Sequence, residues 1–348
     1  MRILVFGAGA IGSFLGHRLS CAGHDVTLIL RAAQAEAIRS HGLRLHQGTD
    51  LQVSHPCVAE HIGDLGDERQ WDCILLTIKA FDTSAAAAAV AARLTPTTPV
   101  IIVQNGVGGE ELAAQHLPAQ TLISGAITLS VSILESGCLS LETHRGGLGL
   151  APVAENSEVP VLTGIFSAAG VRTRAYTDYR SLKWSKLLLN ILGNAIPAII
   201  GWPPGQVFSD PRLFGLERAA FLEAIQVMRA MNLKPVGLPG YPVPHLAWAM
   251  SALPALLLRP LLGRLVASGR GDKRPSLQMD LDAGRKRSEV VYLNGAVARH
   301  SQRLGLRTPV SQTITDVLMS IAEDRGLSLE FNNNPDRLIA AVQAQTGG

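Results

Sequence analysis

The run from Met1 to Arg31 constrains this chain more than any other stretch. Met1 to Phe6 is apolar and short enough for a buried parallel strand. Gly7-Ala8-Gly9-Ala10-Ile11-Gly12 follows at once and opens a helical pattern. Asp25 to Leu30 then forms a second apolar strand that ends on Arg31. The spacing suits each glycine to a different demand. Gly7 permits the tight strand-to-helix turn, Gly9 lets the backbone approach a pyrophosphate, and Gly12 lets the helix pack close to the strand. Backbone N–H groups through Ala8, Ala10 and Ile11 would face the diphosphate at the helix start. Strand, glycines, helix and strand in that order mark a dinucleotide site rather than a Gly-rich turn of no chemical meaning.

Arg31 bears on which dinucleotide. A site for NAD usually ends the second strand on Asp or Glu, which accepts from the ribose 2′-OH and would repel a 2′-phosphate. Arginine pairs with that phosphate instead. Arg31 therefore predicts NADPH/NADP+, against the competing reading of a solvated strand-end charge.

The chain has 348 residues, enough for two domains, and 47% of them are hydrophobic, which fits a globular protein. A net charge of +3 with scattered basic residues argues against a nucleic-acid arm and suits a site for phosphates and a small carboxylate. Cys21, Cys57, Cys73 and Cys138 form no CxxC pair, so no metal site and no disulfide framework is expected, and a cytoplasmic, reducing setting is the default. Pro235 to Leu258 carries no Asp, Glu, Lys or Arg, but five prolines break it. It reads as a buried or lid-like insertion of helical turns rather than a membrane span.

The first half alternates strands and helices, which implies a doubly wound parallel sheet. Helices are expected over Gly12–Ala22, Ala32–Ser40 and Thr83–Leu94. Strands are expected over Leu43–Gln47, Leu51–Cys57, Trp71–Thr77, Val100–Val103, Leu122–Leu134 and Cys138–Glu142, and the β-rich tail of this half suggests that some strands are added antiparallel. After Tyr176 the pattern turns helical, with long helices over Trp184–Ile200, Leu213–Met231, Leu277–Leu304 and Ser311–Arg325. The expected division is residues 1–177, a dinucleotide-binding domain, and 178–348, a helical substrate domain.

Polar residues stand out against this background. Lys79 and Asn105 follow two neighbouring strands, at the sheet end where open α/β folds bind ligands. Lys186, Asn190 and Asn194 are spaced i, i+4, i+8 in an apolar helix, which puts them on one stripe, as in a lined cleft. Ser276, Asp280, Glu289 and Asn294 form a last group, in which a carboxylate could hold a lysine protonated.

The motifs GAGAIG at 7–12, Arg31, TIKA with Lys79, QNGVG with Asn105, KLLLN with Asn194 behind it, and PSLQMDLDAGR…SEV…LNG resemble the ketopantoate reductase (2-dehydropantoate 2-reductase) family over nearly the whole chain. The resemblance implies a Rossmann-type α/β N-terminal domain, an all-α C-terminal domain and an active site in the cleft between them. It implies NADPH-dependent reduction of 2-dehydropantoate (ketopantoate) at its C2 carbonyl to pantoate, in pantothenate biosynthesis, with Lys186 as proton donor and Glu289 near the catalytic centre and cofactor. It also implies Asn190, Asn194 and Ser276 as substrate contacts and Lys79 and Asn105 as cofactor contacts. Expected partners are the oxo acid and at most a second copy in a homodimer. The alternatives are a reductase of another 2-oxo acid or opine-like substrate and a non-catalytic NADPH-binding protein.

Three features depart from the family pattern. The Asp280–Glu289 spacing is one residue longer than in its shortest form, which on a straight helix turns Glu289 by about 100°. Pro203-Pro204 stand where an asparagine is expected, and the insertion at 235–271 is long.

Overall fold

A computed structural model describes residues 1–66, 70–143, 145–155, 158–270 and 274–346, the side chains of 264–270 excepted. The chain forms two compact units. One comprises Met1–Gln104, Gly108–Lys183 and Leu238–Tyr241; the other takes Asn105–Val107, Trp184–Gly237 and the chain from Pro242 onward.

The first unit is built on an eight-stranded sheet of order β12-β11-β8-β7-β6-β1-β2-β5. Its parallel strands are β1 (Arg2–Phe6), β2 (Asp25–Ile29), β5 (Cys57–Ala59), β6 (Cys73–Leu76), β7 (Val100–Val103) and β8 (Leu122–Ile127). Beyond β8 the sheet continues into β11 (Leu148–Pro152), a strand outside those expected, which pairs antiparallel with β8 and carries β12 (Thr173–Ala175) at its edge. Side chains alternate across a strand, so β1 sends Ile3 and Val5 into one core, with Phe14 and Leu28, and Leu4 into the other, with Ile74 and Leu76. Burial on both faces is why these strands read as continuous apolar runs.

A smaller sheet, β4-β3-β10-β9, joins the hairpin β3 (Leu43–Gln47) and β4 (Asp50–Ser54) to the hairpin β9 (Val131–Glu135) and β10 (Cys138–Leu141). Two strands expected as single runs are therefore divided. Leu122–Leu134 splits into β8 and β9, and Leu51–Cys57 splits at Pro56, each pair serving different sheets. Alternation alone cannot show that a strand changes sheet.

The second unit is helical, and beyond Ala175 the described residues contain no strand, only the isolated Leu238–Tyr241 bridge. Two expected long helices are broken. Trp184–Ile200 becomes Tyr179–Ile191 and Ala195–Ile200, separated by a turn in which Gly193 has φ +59°. Leu277–Leu304 becomes Ser276–Asp282, a 3-10 turn Glu289–Tyr292 and Asn294–Arg303, with Gly284 at φ +70° after the first helix. Left-handed glycines are a common way to end a helix.

The proline-rich insertion is helical, forming the helices Val243–Ala252 and Ala255–Arg270, and its last residue, 271, lies outside the described residues. Val243, Ala247 and Met250 are buried, whereas Trp248, Leu256, Leu257 and Leu261 are exposed. Among the described residues no helix is long and apolar enough to cross a membrane.

Candidate active site

In the first unit the glycine turn sits where the sheet order reverses, between β1 and β6. That is the place where such sheets bind dinucleotides. Gly7 has φ +96°, and the N–H groups of Gly7 and Ala8 donate to the Ile29 carbonyl at 3.2 and 3.0 Å. The Ala8 N–H is therefore spent within the turn rather than facing a diphosphate as expected, while the Ala8 side chain is buried and Ala10 and Ile11 pack against the core.

The glycines differ in the space around them. A methyl on Gly12 would lie 2.8 Å from the Gly7 carbonyl and would overlap Thr77 Oγ1; one on Gly7 would overlap Ile78. One on Gly9 would meet nothing within 4 Å. Gly9 caps the helix Ala10–Cys21, whose first turn has no acidic residue and no side-chain cap. An open helix N-terminus of this kind fits a diphosphate. Thr77, which sequence reasoning did not single out, donates from Oγ1 to the Gly7 carbonyl at 2.9 Å and holds the turn in place.

Arg31 is exposed and caps the helix Ala32–His41 directly behind β2. Lys79 is half-buried and caps the short turn Ala80–Asp82 behind β6. Both stand at the ligand-binding end of the sheet.

In the second unit Asn105, Asn190, Asn194 and Ser276, four of the predicted polar residues, form one hydrogen-bonded line, whereas Asp280 pairs with Arg285. Asn190 Nδ2 donates to Asn105 Oδ1 at 3.2 Å. Asn194 Nδ2 donates to the Asn190 carbonyl at 3.1 Å and lies 3.5 Å from Ser276 Oγ. Asn194 Oδ1 accepts from the Leu277 N–H at 3.3 Å. Asn194 reaches this place from the turn after the helix, not from a third position on a continuous stripe.

The segment carrying Asn105 is held from its other side. Val107 N–H donates to the Tyr292 carbonyl at 2.9 Å, and Gly106, at φ +83°, is too close to that carbonyl to carry a side chain. Tyr292 closes the 3-10 turn that Glu289 opens; Glu289 is buried there and Ser288 caps the turn. The helix ends at Asp282 and Glu289 lies in a separate 3-10 turn, so the rotation of about 100° argued for one straight helix does not apply. Lys186 is half-buried one turn before Asn190 on the same helix. Among the described residues no group of three or more His, Cys, Asp or Glu side chains could hold a metal ion.

A buried charge pair also escaped the sequence. Lys183, 3% exposed, donates to the Gln104 carbonyl at 2.6 Å and lies 3.3 Å from Glu110 Oε1, which accepts from Ser124 Oγ at 2.6 Å. Lys183 precedes the helix expected from Trp184 onward, so nothing in the sequence marked it as buried. Its partner Glu110 looked like any loop carboxylate.

A glycine turn at the switch point of an open α/β sheet, in a chain with a separate helical unit, marks the class of dinucleotide-binding α/β proteins. Residues 3–154 match the family described as ketopantoate reductase PanE/ApbA, and residues 178–322 match its C-terminal domain. The chain belongs to this ketopantoate reductase family.

Among its relatives, the 2-dehydropantoate 2-reductase of Archaeoglobus fulgidus is 28% identical over 327 residues, covering 92% of this chain and 97% of the relative. That of Halobacterium salinarum is 28% identical over 333 residues, covering 93% and 100%. The crystal structure of a PanE/ApbA family ketopantoate reductase from Ralstonia eutropha JMP134 superposes with a TM-score of 0.79 at 27% identity, covering 93% and 99%. The structure of D-mandelate dehydrogenase with NADH and anilino(oxo)acetate has a TM-score of 0.78 at 20% identity, covering 93% and 99%; that likeness concerns the fold.

Proposed function

We propose that this chain reduces 2-dehydropantoate (ketopantoate) to pantoate with NADPH. The observation that carries this reading is the line Asn105–Asn190–Asn194–Ser276 beside Lys186, in a chain that matches the family in both domains. Bound NADPH supplies a hydride to the C2 carbonyl carbon. Gly9 and the open helix end would hold the diphosphate, and Lys79 would supply a positive charge for it. Arg31 pairs with the 2′-phosphate. Asn105 holds the nicotinamide ribose, and Asn190, Asn194 and Ser276 orient the oxo acid.

As the carbonyl oxygen gains negative charge, the Lys186 ammonium stabilises it and then delivers the proton. In this reading Glu289, buried in the same unit, would be the carboxylate that orients the lysine. The site needs no metal for these steps, because the lysine supplies both the charge and the proton.

A second reading keeps the chemistry and changes the acid. It is favoured by the close fold of D-mandelate dehydrogenase and by Pro203-Pro204 in the substrate domain. Steady-state NADPH oxidation with ketopantoate, 2-oxoisovalerate and benzoylformate separates the two. Ketopantoate should have the highest kcat/KM; a clear preference for benzoylformate would overturn the pantoate assignment.

A further inference from the structure

We propose that Glu217 is a positioning residue for the substrate-binding asparagines, its buried carboxylate fixing the turn that places Asn194. This rests on the substrate-binding roles proposed for Asn190, Asn194 and Ser276.

Glu217 lies in the middle of the helix Pro211–Ala230, on the face that buries Leu213, Phe214, Ala220 and Phe221. It is only 2% exposed. A carboxylate among such neighbours is costly unless it is bonded. Its Oε2 accepts the Gly193 N–H at 2.9 Å. Gly193 is the left-handed residue at φ +59° in the break between Tyr179–Ile191 and Ala195–Ile200.

That break decides where Asn194 goes. On an unbroken helix its side chain would continue the Asn190 stripe, about 40° further round. With the turn in place, Asn194 Nδ2 meets the Asn190 carbonyl and Ser276 Oγ, and its Oδ1 accepts the Leu277 N–H, which anchors the start of the helix Ser276–Asp282. Glu217 therefore acts on the substrate end of the line through a backbone amide. It has no need to touch substrate itself.

The test compares full-length Glu217→Leu and Glu217→Gln with the wild type. Leucine removes the acceptor; glutamine keeps a carbonyl oxygen for Gly193. Glu217→Leu should speed amide hydrogen exchange in the peptide spanning 191–196 and raise the ketopantoate KM, each by about tenfold, the loss expected for a hydrogen bond to a charged group. The NADPH dissociation constant should stay within about twofold of wild type, and Glu217→Gln should stay within about threefold on every measure.

Wild-type exchange and KM in Glu217→Leu would overturn the proposal. So would equal damage in both variants, or a parallel loss of NADPH affinity. If Glu217→Leu does not fold, Gly193→Ala reads the same turn: faster exchange and a raised KM support the role, and wild-type values overturn it. The exchange measurement stands without turnover. A wild-type protein that reduces no 2-oxo acid would remove the functional reading while leaving the turn to be decided by exchange.

Discussion

Asn190 Nδ2 and Asn105 Oδ1 meet at 3.2 Å although they are 85 positions apart in the chain. Each amide orients the other, so their contributions to turnover should not be independent. A double-mutant cycle on kcat/KM with Asn105→Ala and Asn190→Ala should show a coupling of about 0.5–1.5 kcal/mol. Strictly additive losses would show that the contact has no functional weight.

Lys186 is the proposed source of both charge stabilisation and the proton. Lys186→Ala should lower kcat by about two to four decades, with NADPH affinity little changed. Near-normal turnover would remove lysine from the chemistry. A loss of NADPH binding as large as the loss of kcat would place it on the cofactor instead.

Arg31 stands exposed behind β2, where a carboxylate would select NADH. Arg31→Ala should weaken NADPH by about tenfold or more and leave NADH close to its wild-type value. Equal losses for both cofactors, titrated by protein fluorescence, would rule out a 2′-phosphate contact.

Gly9 and Gly12 belong to one motif but should fail in different ways. Gly9 has φ −71° and open space where a methyl would go. Gly9→Ala should therefore keep the thermal midpoint of the wild type while binding NADPH much more weakly. Gly12→Ala pushes into Thr77 and the Gly7 carbonyl, an overpacking that costs about 1–3 kcal/mol. Its midpoint should fall along with its affinity. Identical behaviour of the two variants would contradict the geometry.

His17 links stability to pH. It is fully buried, and burial pulls its pKa below the ordinary 6.5, against the opposing hydrogen bond between Nδ1 and the Leu43 carbonyl. The unfolded chain then takes up a proton that the folded chain resists. The contribution is complete above pH 6.5 and is lost as pH falls below it. Urea midpoints taken at about pH 7.5 and 5.5 should drop more for the wild type than for His17→Asn. Parallel drops would mean that other groups carry the acid sensitivity.

The N-terminal architecture was legible because its requirements are local. Strand periods, the turn glycines and the strand-end Arg31 act within a few residues of one another. The helical half was legible in content but not in its breaks. An isolated glycine within a helical pattern costs only about 1 kcal/mol, so periodicity carried straight through Gly193 and Gly284. Glu289 shows the consequence. Counting residues along an assumed helix implied a misplaced side chain, whereas the helix had already ended at Asp282.

What the amino-acid order determined by itself was the set of chemical groups and the local turns that present them: the glycine fingerprint, Arg31, Lys186 and the asparagines. Only the tertiary structure decided which of these groups meet. Lys183 finds Glu110, Gly193 finds Glu217, and Asn105 finds Asn190 across long stretches of chain. A buried charge or amide must find a partner wherever the packed elements bring one within reach, and no local pattern records which distant residue that will be.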